Sequence, residues 1–184
     1  MKIIAGVDEV GRGSLIGPVY AAAVILNKSL NLKLLKDSKR LTKKRRVILS
    51  KYIKKNSIWA IGKASNKEID KINILQASML AMERAIKKLE KKPSHILIDG
   101  NRLPNLTKFK MKAVIKGDQK IPAISAASII AKVSRDKFIL TLAKKNVGYF
   151  WHQNFGYGTK KHLIAIKKLG ASIHHRKSFA PIKK

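Results

Sequence analysis

Gly6-Val7-Asp8-Glu9-Val10-Gly11-Arg12-Gly13 closes an apolar run that opens at Ile3, joining a strand end, two adjacent acids and a glycine-rich departure. Residues 3–8 are short, apolar and bounded by polar or glycine positions, the mark of a buried strand. Successive strand side chains point to opposite faces, so Asp8 and Glu9 serve one site only if the chain bends at Glu9, a departure that Gly11-Arg12-Gly13 would permit. Working outward, residues 18–26 (Pro-Val-Tyr-Ala-Ala-Ala-Val-Ile-Leu) and Ser57 to Ala64 read as further strands of an early meander. Helical spacing is predicted over 42–54 and again over 73–90, where Ile74, Met79, Met82 and Ile86 are apolar. A strand follows at His95–Asp99, another at Met111 to Lys116, then a helix from about Pro122 to Lys144 and a helical region after Thr159. This order predicts an α/β fold, a mixed, partly parallel sheet flanked by helices through right-handed crossovers. One domain is expected over 1–184, with residues from about 145 to 184 as a C-terminal helical part.

Composition narrows the chemistry. With no cysteine there is no thiolate nucleophile, disulfide or cysteine-held zinc, so a metal must sit on carboxylates or histidines. No apolar stretch approaches a membrane span and no signal-peptide layout opens the chain, so a soluble, cytoplasmic protein with no membrane partner is expected. A formal charge of +31, from 41 Lys+Arg against 10 Asp+Glu, favours a polyanionic partner, although many lysines will be solvated helix faces.

The scarce acids are the sharpest signal. Asp8-Glu9, Asp99 and Asp118 stand at three separate strand ends, and in parallel α/β sheets the functional crevice lies beyond those ends. Carboxylates gathered there repel one another unless they share hard divalent cations. Mg²⁺ takes carboxylate, water and phosphate oxygens, and paired ions about 4 Å apart suit phosphodiester cleavage. Each acid taken alone reads better as a helix cap or a lysine partner, and it is their joint placement that favours the metal.

Arg12 and Gly13 stand where a P-loop needs Lys and Ser or Thr, and Gly11 to Gly17 lacks dinucleotide-binding spacing. Two readings of Gly11-Arg12-Gly13 remain: close backbone approach to a sugar-phosphate strand with Arg12 as a cationic contact, or an ordinary turn. Tyr149, Phe150, Trp151, Phe155 and Tyr157 crowd one loop, most of them expected to pack; Tyr157, between Gly156 and Gly158, is the candidate to touch a sugar or base. His152, His162, His174 and His175 lack metal spacing and suit helix ends or phosphate contacts better than zinc. Asp136 lies far along its helix from Ser125, where it can pair with Lys132 at i, i+4.

The set GVDEVGRG at 6–13, GPV at 17–19, DSK at 37–39, LIDGN at 97–101, KGD at 116–118, SAASIIAKVSRD at 125–136, GYGT at 156–159 and HHRKSF at 174–179 resembles bacterial ribonuclease HII over nearly the whole chain. The resemblance implies an RNase H-like domain whose C-terminal helical part binds substrate. It also implies a monomer that cuts RNA/DNA hybrids and ribonucleotide-containing duplex DNA with Mg²⁺ or Mn²⁺, two ions with substrate bound, leaving 3′-hydroxyl and 5′-phosphate ends. It assigns the metal to Asp8, Glu9, Asp99 and Asp118, and places Gly11, Arg12, Gly13 and Tyr157 around the ribonucleotide 2′-hydroxyl. Lys39 becomes a phosphate contact, and Ser125, Ser128 and Lys132, on one helical stripe, become supporting or substrate-facing residues. Phe155 departs from the basic residue frequent before Gly-Tyr in that family. The chain stops soon after Phe179-Ala180-Pro181, so no clamp-binding tail is expected, and Met1 to Val7 leaves no room for the N-terminal domain of ribonuclease HIII. A junction-resolvase-like nuclease indifferent to the 2′-hydroxyl, and a small RNA-binding module without chemistry, are the competing readings; substrate choice separates the first and metal dependence the second.

Overall fold

The computed structural model of the chain describes residues 2–27, 29–35 and 42–183. Five strands form one sheet in the order β3-β2-β1-β4-β5. These are β1 (Ile4–Val10), β2 (Val19–Leu26), β3 (Ser57–Ala64), β4 (His95–Asp99) and β5 (Lys110–Val114). β1 runs antiparallel to β2 and β2 to β3, which is the expected meander, whereas β1 with β4 and β4 with β5 are parallel. The helices are α1 (Lys43–Lys55), α2 (Asn66–Lys87), α3 (Gly117–Lys120), α4 (Pro122–Lys145), α5 (Trp151–Asn154) and α6 (Lys160–Leu169).

Alternation along the strands sorts the core into two faces. Val7, Ala21, Ala23, Ala60, Ile96 and Ile98 pack with Ala77, Ala81 and Met82 of α2. On the other face Ala22 and Val24 meet Ala126, Ala127 and Ile130 of α4 and Leu49 and Ile53 of α1. A fully buried isoleucine such as Ile130 contributes about 2 kcal/mol through burial. The run of alanines in β2 lets both helices approach closely. Gly6 carries this furthest: a Cβ there would lie 2.1 Å from the backbone of Ala123, so only glycine lets α4 lie against the middle of β1.

Local signals set the helix starts. Pro122 occupies the first turn of α4, where its missing N–H costs nothing. α2 begins at Asn66, earlier than the 73–90 spacing predicted, because Ser65 and Glu68 form a capping box, and Asn73, at φ 64, interrupts the helix where the apolar count began.

The C-terminal part is helical as expected, with α5 and α6 packed on the end of α4. Leu15, Ile16, Ile139, Tyr149, Trp151 and Ala165 form its own buried cluster. Among the described residues no helix is long and apolar enough to cross a membrane.

Candidate functional site

β1 and β4 carry two of the candidate acids side by side. Their last paired residues are Val7 and Ile98, so Asp8 and Asp99 stand one register step further along adjacent parallel strands, on the face that α4 covers. Neighbouring strands are about 4.8 Å apart. Asp8 is buried, accepts the Glu9 N–H at 2.7 Å and takes a hydrogen bond from Ser128 on α4. Burial, the Glu9 charge and the Asp99 charge outweigh these two donors and push the Asp8 carboxyl up to about 8.

The expected bend at Glu9 does not occur. β1 stays paired with β2 through Glu9↔Ala21 and Val10↔Tyr20, and the chain turns two residues later at Gly11, φ 93, because only there does ladder pairing end. Glu9 nonetheless belongs to the same electrostatic neighbourhood. Burial raises its pKa against the opposing pull of Arg12, and Asp99 raises it further. Its Oε1 lies 3.4 Å from the Arg12 guanidinium.

Asp118 arrives from α3, the short helix that follows β5, and is buried. Asp99 holds that turn in place: its Oδ1 accepts the N–H of Gly117 at 2.6 Å and that of Asp118 at 3.3 Å. Lys116 supplies the left-handed residue, φ 55, that reverses the chain there. Among the described residues no three Asp, Glu or His side chains are gathered tightly enough to make a ready metal cage. Carboxylate oxygens of Asp8 and Asp99 accept protein N–H and O–H donors. The donor set is hard oxygen throughout, with no cysteine in the chain, and suits Mg²⁺ or Mn²⁺.

The stripe on α4 divides. Ser128 reaches Asp8, but Ser125 is turned inward, donating to Leu35 O at 3.0 Å, so it supports the core and does not face substrate. Lys132 Nζ sits 2.9 Å from Asp136 Oδ1, the predicted i, i+4 ion pair, and lies over the rings of Phe155 at 5.2 Å and Tyr157 at 5.9 Å. Lys43 approaches Phe155 as well, at 4.9 Å. Lys39 lies outside the described residues.

The glycine loop and the Tyr157 loop come together. Ser14 bridges Tyr157, Leu15 N–H donates to Gly156 O at 2.8 Å, and Arg12 and Gly13 are exposed beside them. Two buried arginines that sequence reading left unassigned hold this arrangement. Arg135 donates to the carbonyls of Pro18, Phe155 and Ile16, and Arg176 to those of Gly17, Arg12 and Gly11. Burial pushes Arg176 down to about 9, helped by the neighbouring Arg135 charge. A signal for Arg135 existed: it continues the buried i+4 row of Ala127 and Ala131, where a charge needs internal partners.

Three of the four C-terminal histidines also differ from expectation. His162 and His175 are buried and pack with Tyr149 and Trp151, and half-buried His174 lies against Trp151, although only contacts at helix ends or with phosphate were expected. Trp151 Nε1–H donates to His162 Nε2 at 3.0 Å and His162 Nδ1–H donates to Tyr157 O at 2.9 Å. Ser172 N–H donates to His175 Nδ1, leaving its Nε2–H for His162 at 3.3 Å. These partners assign neutral tautomers to both rings. Burial lowers all three histidines, His175 to about 4.

A mixed five-stranded sheet with helices on both faces and acids at the ends of its parallel strands defines an RNase H-like α/β protein. It is similar to the crystal structure of ribonuclease H2 from Pyrococcus horikoshii OT3, with a TM-score of 0.80 and 28% identity, covering 97% of this chain and 94% of that one. Bst-RNase HIII, crystallised in complex with Mn²⁺, shares the fold at 20% identity and a TM-score of 0.76, over 99% of this chain and 68% of that one. Residues 5–182 match the family model Ribonuclease HII. Ribonuclease HII of Pelagibacter ubique (strain HTCC1062) is 71% identical over 182 residues, 99% of this chain and 98% of that one. The chain belongs to the ribonuclease HII family and is a ribonuclease H, a hydrolytic endonuclease.

Proposed function

We propose that this enzyme hydrolyses the RNA-containing strand of RNA/DNA hybrids and cuts duplex DNA on the 5′ side of embedded ribonucleotides, leaving 3′-hydroxyl and 5′-phosphate ends. The observation that carries the reading is the adjacency of Asp8 and Asp99 at the ends of parallel strands, with Glu9 close enough to raise Asp8 further and Asp118 held by Asp99 through its N–H. Asp8, Glu9, Asp99 and Asp118 would hold divalent metal, Mg²⁺ or Mn²⁺, two ions once substrate is bound. Such ions supply an activated water and neutralise the developing charge on the leaving oxygen. The Mn²⁺ bound by Bst-RNase HIII supports this choice.

The chain's own residues orient the strand. Ser128 steadies Asp8 by donating to its carboxylate, and Gly11-Arg12-Gly13 approaches the ribose with little side-chain bulk while Arg12 meets the backbone charge. Tyr157 lies against the sugar that follows the ribonucleotide, with Lys132 near its ring and able to face phosphate. The net charge of +31 supports a duplex partner whose binding weakens with salt. The C-terminal part from about 145 onward serves as the substrate-binding portion of one domain.

The test is a labelled DNA duplex with one ribonucleotide, incubated with and without Mg²⁺ or Mn²⁺. Cleavage 5′ of the ribonucleotide only with metal is expected; metal-independent binding without cutting, or equal cutting of an all-DNA duplex, overturns the reading.

A further inference from the structure

Arg176 is fully buried, yet among the described residues none of its hydrogen bonds goes to a carboxylate. Its guanidinium spends its N–H groups on backbone carbonyls: Nη1 on Arg12 O at 2.7 Å, Nη2 on Gly11 O at 2.7 Å and Nε on Gly17 O at 2.9 Å. In a planar trans peptide the C=O of one residue and the N–H of the next point to opposite sides. With the carbonyls of Gly11 and Arg12 drawn inward, the N–H groups of Arg12 and Gly13 therefore point outward. Both residues are exposed, and a Cβ on Gly13 would meet nothing within 4 Å, so the space beyond is open. Consecutive outward N–H groups form a concavity for an oxygen atom.

We infer that Arg176 is a positioning residue for ribose reading: it fixes the two peptide planes of Gly11-Arg12-Gly13 so that their N–H groups face the ribonucleotide's oxygen atoms. This rests on the proposed role of that loop. A planar fork is required, since one guanidinium reaches three carbonyls in fixed directions whereas a lysine ammonium is a point donor on a flexible stem. Arg135 completes the frame by tying Ile16 and Pro18 to Phe155, so the two loops move as one unit. Asp70, whose charge also acts on Arg176, anchors the same C-terminal segment by its backbone, accepting from Lys177 N–H and Ser178 N–H with no hydrogen bond to the guanidinium or the glycine loop.

The experiment measures kcat and KM on a duplex with one ribonucleotide, and Kd for an all-DNA duplex of the same sequence. Arg176→Lys is expected to lose about 100-fold in kcat, the scale of a small misplacement of a reacting group, while the all-DNA Kd stays within about 3-fold. Asp70→Asn is expected to lower Tm yet keep kcat within about 3-fold, separating anchoring of the segment from orientation of the peptides. A folded Arg176→Lys that cuts like wild type, or that loses cleavage and all-DNA binding together, overturns the inference. Should Arg176→Lys not fold, the wild type decides it in EDTA. The ¹⁵N–¹H signals of Arg12 and Gly13 should move with the ribonucleotide duplex and not with the all-DNA duplex; equal movement, or none, overturns it. A wild type that cuts all-DNA duplex equally well removes the underlying reading, whereas a discriminating wild type with an equally discriminating Arg176→Lys removes this inference alone.

Discussion

At the carboxylate end of the sheet, Asp8, Glu9 and Asp99 share one neighbourhood, and each ionised neighbour raises the cost of charging Asp8. Around the glycine loop the charges of Arg135 and Arg176 also oppose each other, yet six backbone carbonyls receive their hydrogen bonds. The first region sets like charges against one another; the second meets its buried charges with backbone acceptors. Their responses to pH run in opposite directions. Asp8 has a folded pKa above its unfolded value, so its contribution falls as pH rises from about 4 toward about 8. The histidines beside the guanidinium-held loops have folded pKa values below theirs, so they destabilise the fold as pH falls.

The largest expected effect breaks the first region without unfolding it. Asp8→Asn or Asp99→Asn should cost at least about 10³-fold in cleavage, about 4 kcal/mol of barrier, while Tm holds or rises because a buried repulsion is removed. Cleavage assays beside thermal melts check both halves; wild-type cleavage at limiting Mg²⁺ would remove that acid from the site. The same logic applied to the second region predicts the reverse. Arg135→Met should lower stability by about 2–4 kcal/mol in urea unfolding, since it strands buried carbonyls of Ile16, Pro18 and Phe155.

Acid sharpens the contrast. Between the unfolded histidine value of 6.5 and about 4 for His175, the unfolded chain binds more protons, so stability is full above pH 6.5 and declines as pH falls toward 4. That group alone contributes up to about 3 kcal/mol. Denaturant melts from pH 7.5 to 4.5 should show the decline, with a shallower slope in His175→Gln; identical slopes would mean that His175 is not the titrating group. The smallest effect is metal stabilisation. Mg²⁺ at about ten times its Kd should add about 1.4 kcal/mol to the wild type and less to Asp8→Asn, read as a Tm shift; equal shifts would place the ion elsewhere.

Much of the carboxylate end was visible in the linear chain. Strand periodicity runs into Asp8 and Asp99, and a parallel sheet sends strand ends to one edge, so two acids 91 positions apart could be paired on paper. Ser65 and Glu68 also announce the start of α2 locally, although apolar counting overlooked them. Less visible was where β1 stops being a strand, because ladder pairing with β2 outlasts the local preference to turn and carries Glu9 straight.

What sequence alone determined is therefore whatever depends on period, on strand ends and on the chemistry of residue types: the mixed sheet, the hard-oxygen donor set, the polyanionic partner and the family resemblance. Tertiary structure alone decided that Ser125 serves the core while Ser128 serves Asp8, that His162 holds Tyr157 O, and that Arg176 turns the peptides of Gly11 and Arg12. Each of these is a hydrogen bond to a backbone atom or carboxylate, and all but the five-residue span from His162 to Tyr157 reach a partner distant in the chain. Every residue has the same backbone carbonyl, so nothing in the order of side chains marks which one a buried guanidinium or imidazole will find; only the packing of α4 and the C-terminal segment against the glycine loop selects it.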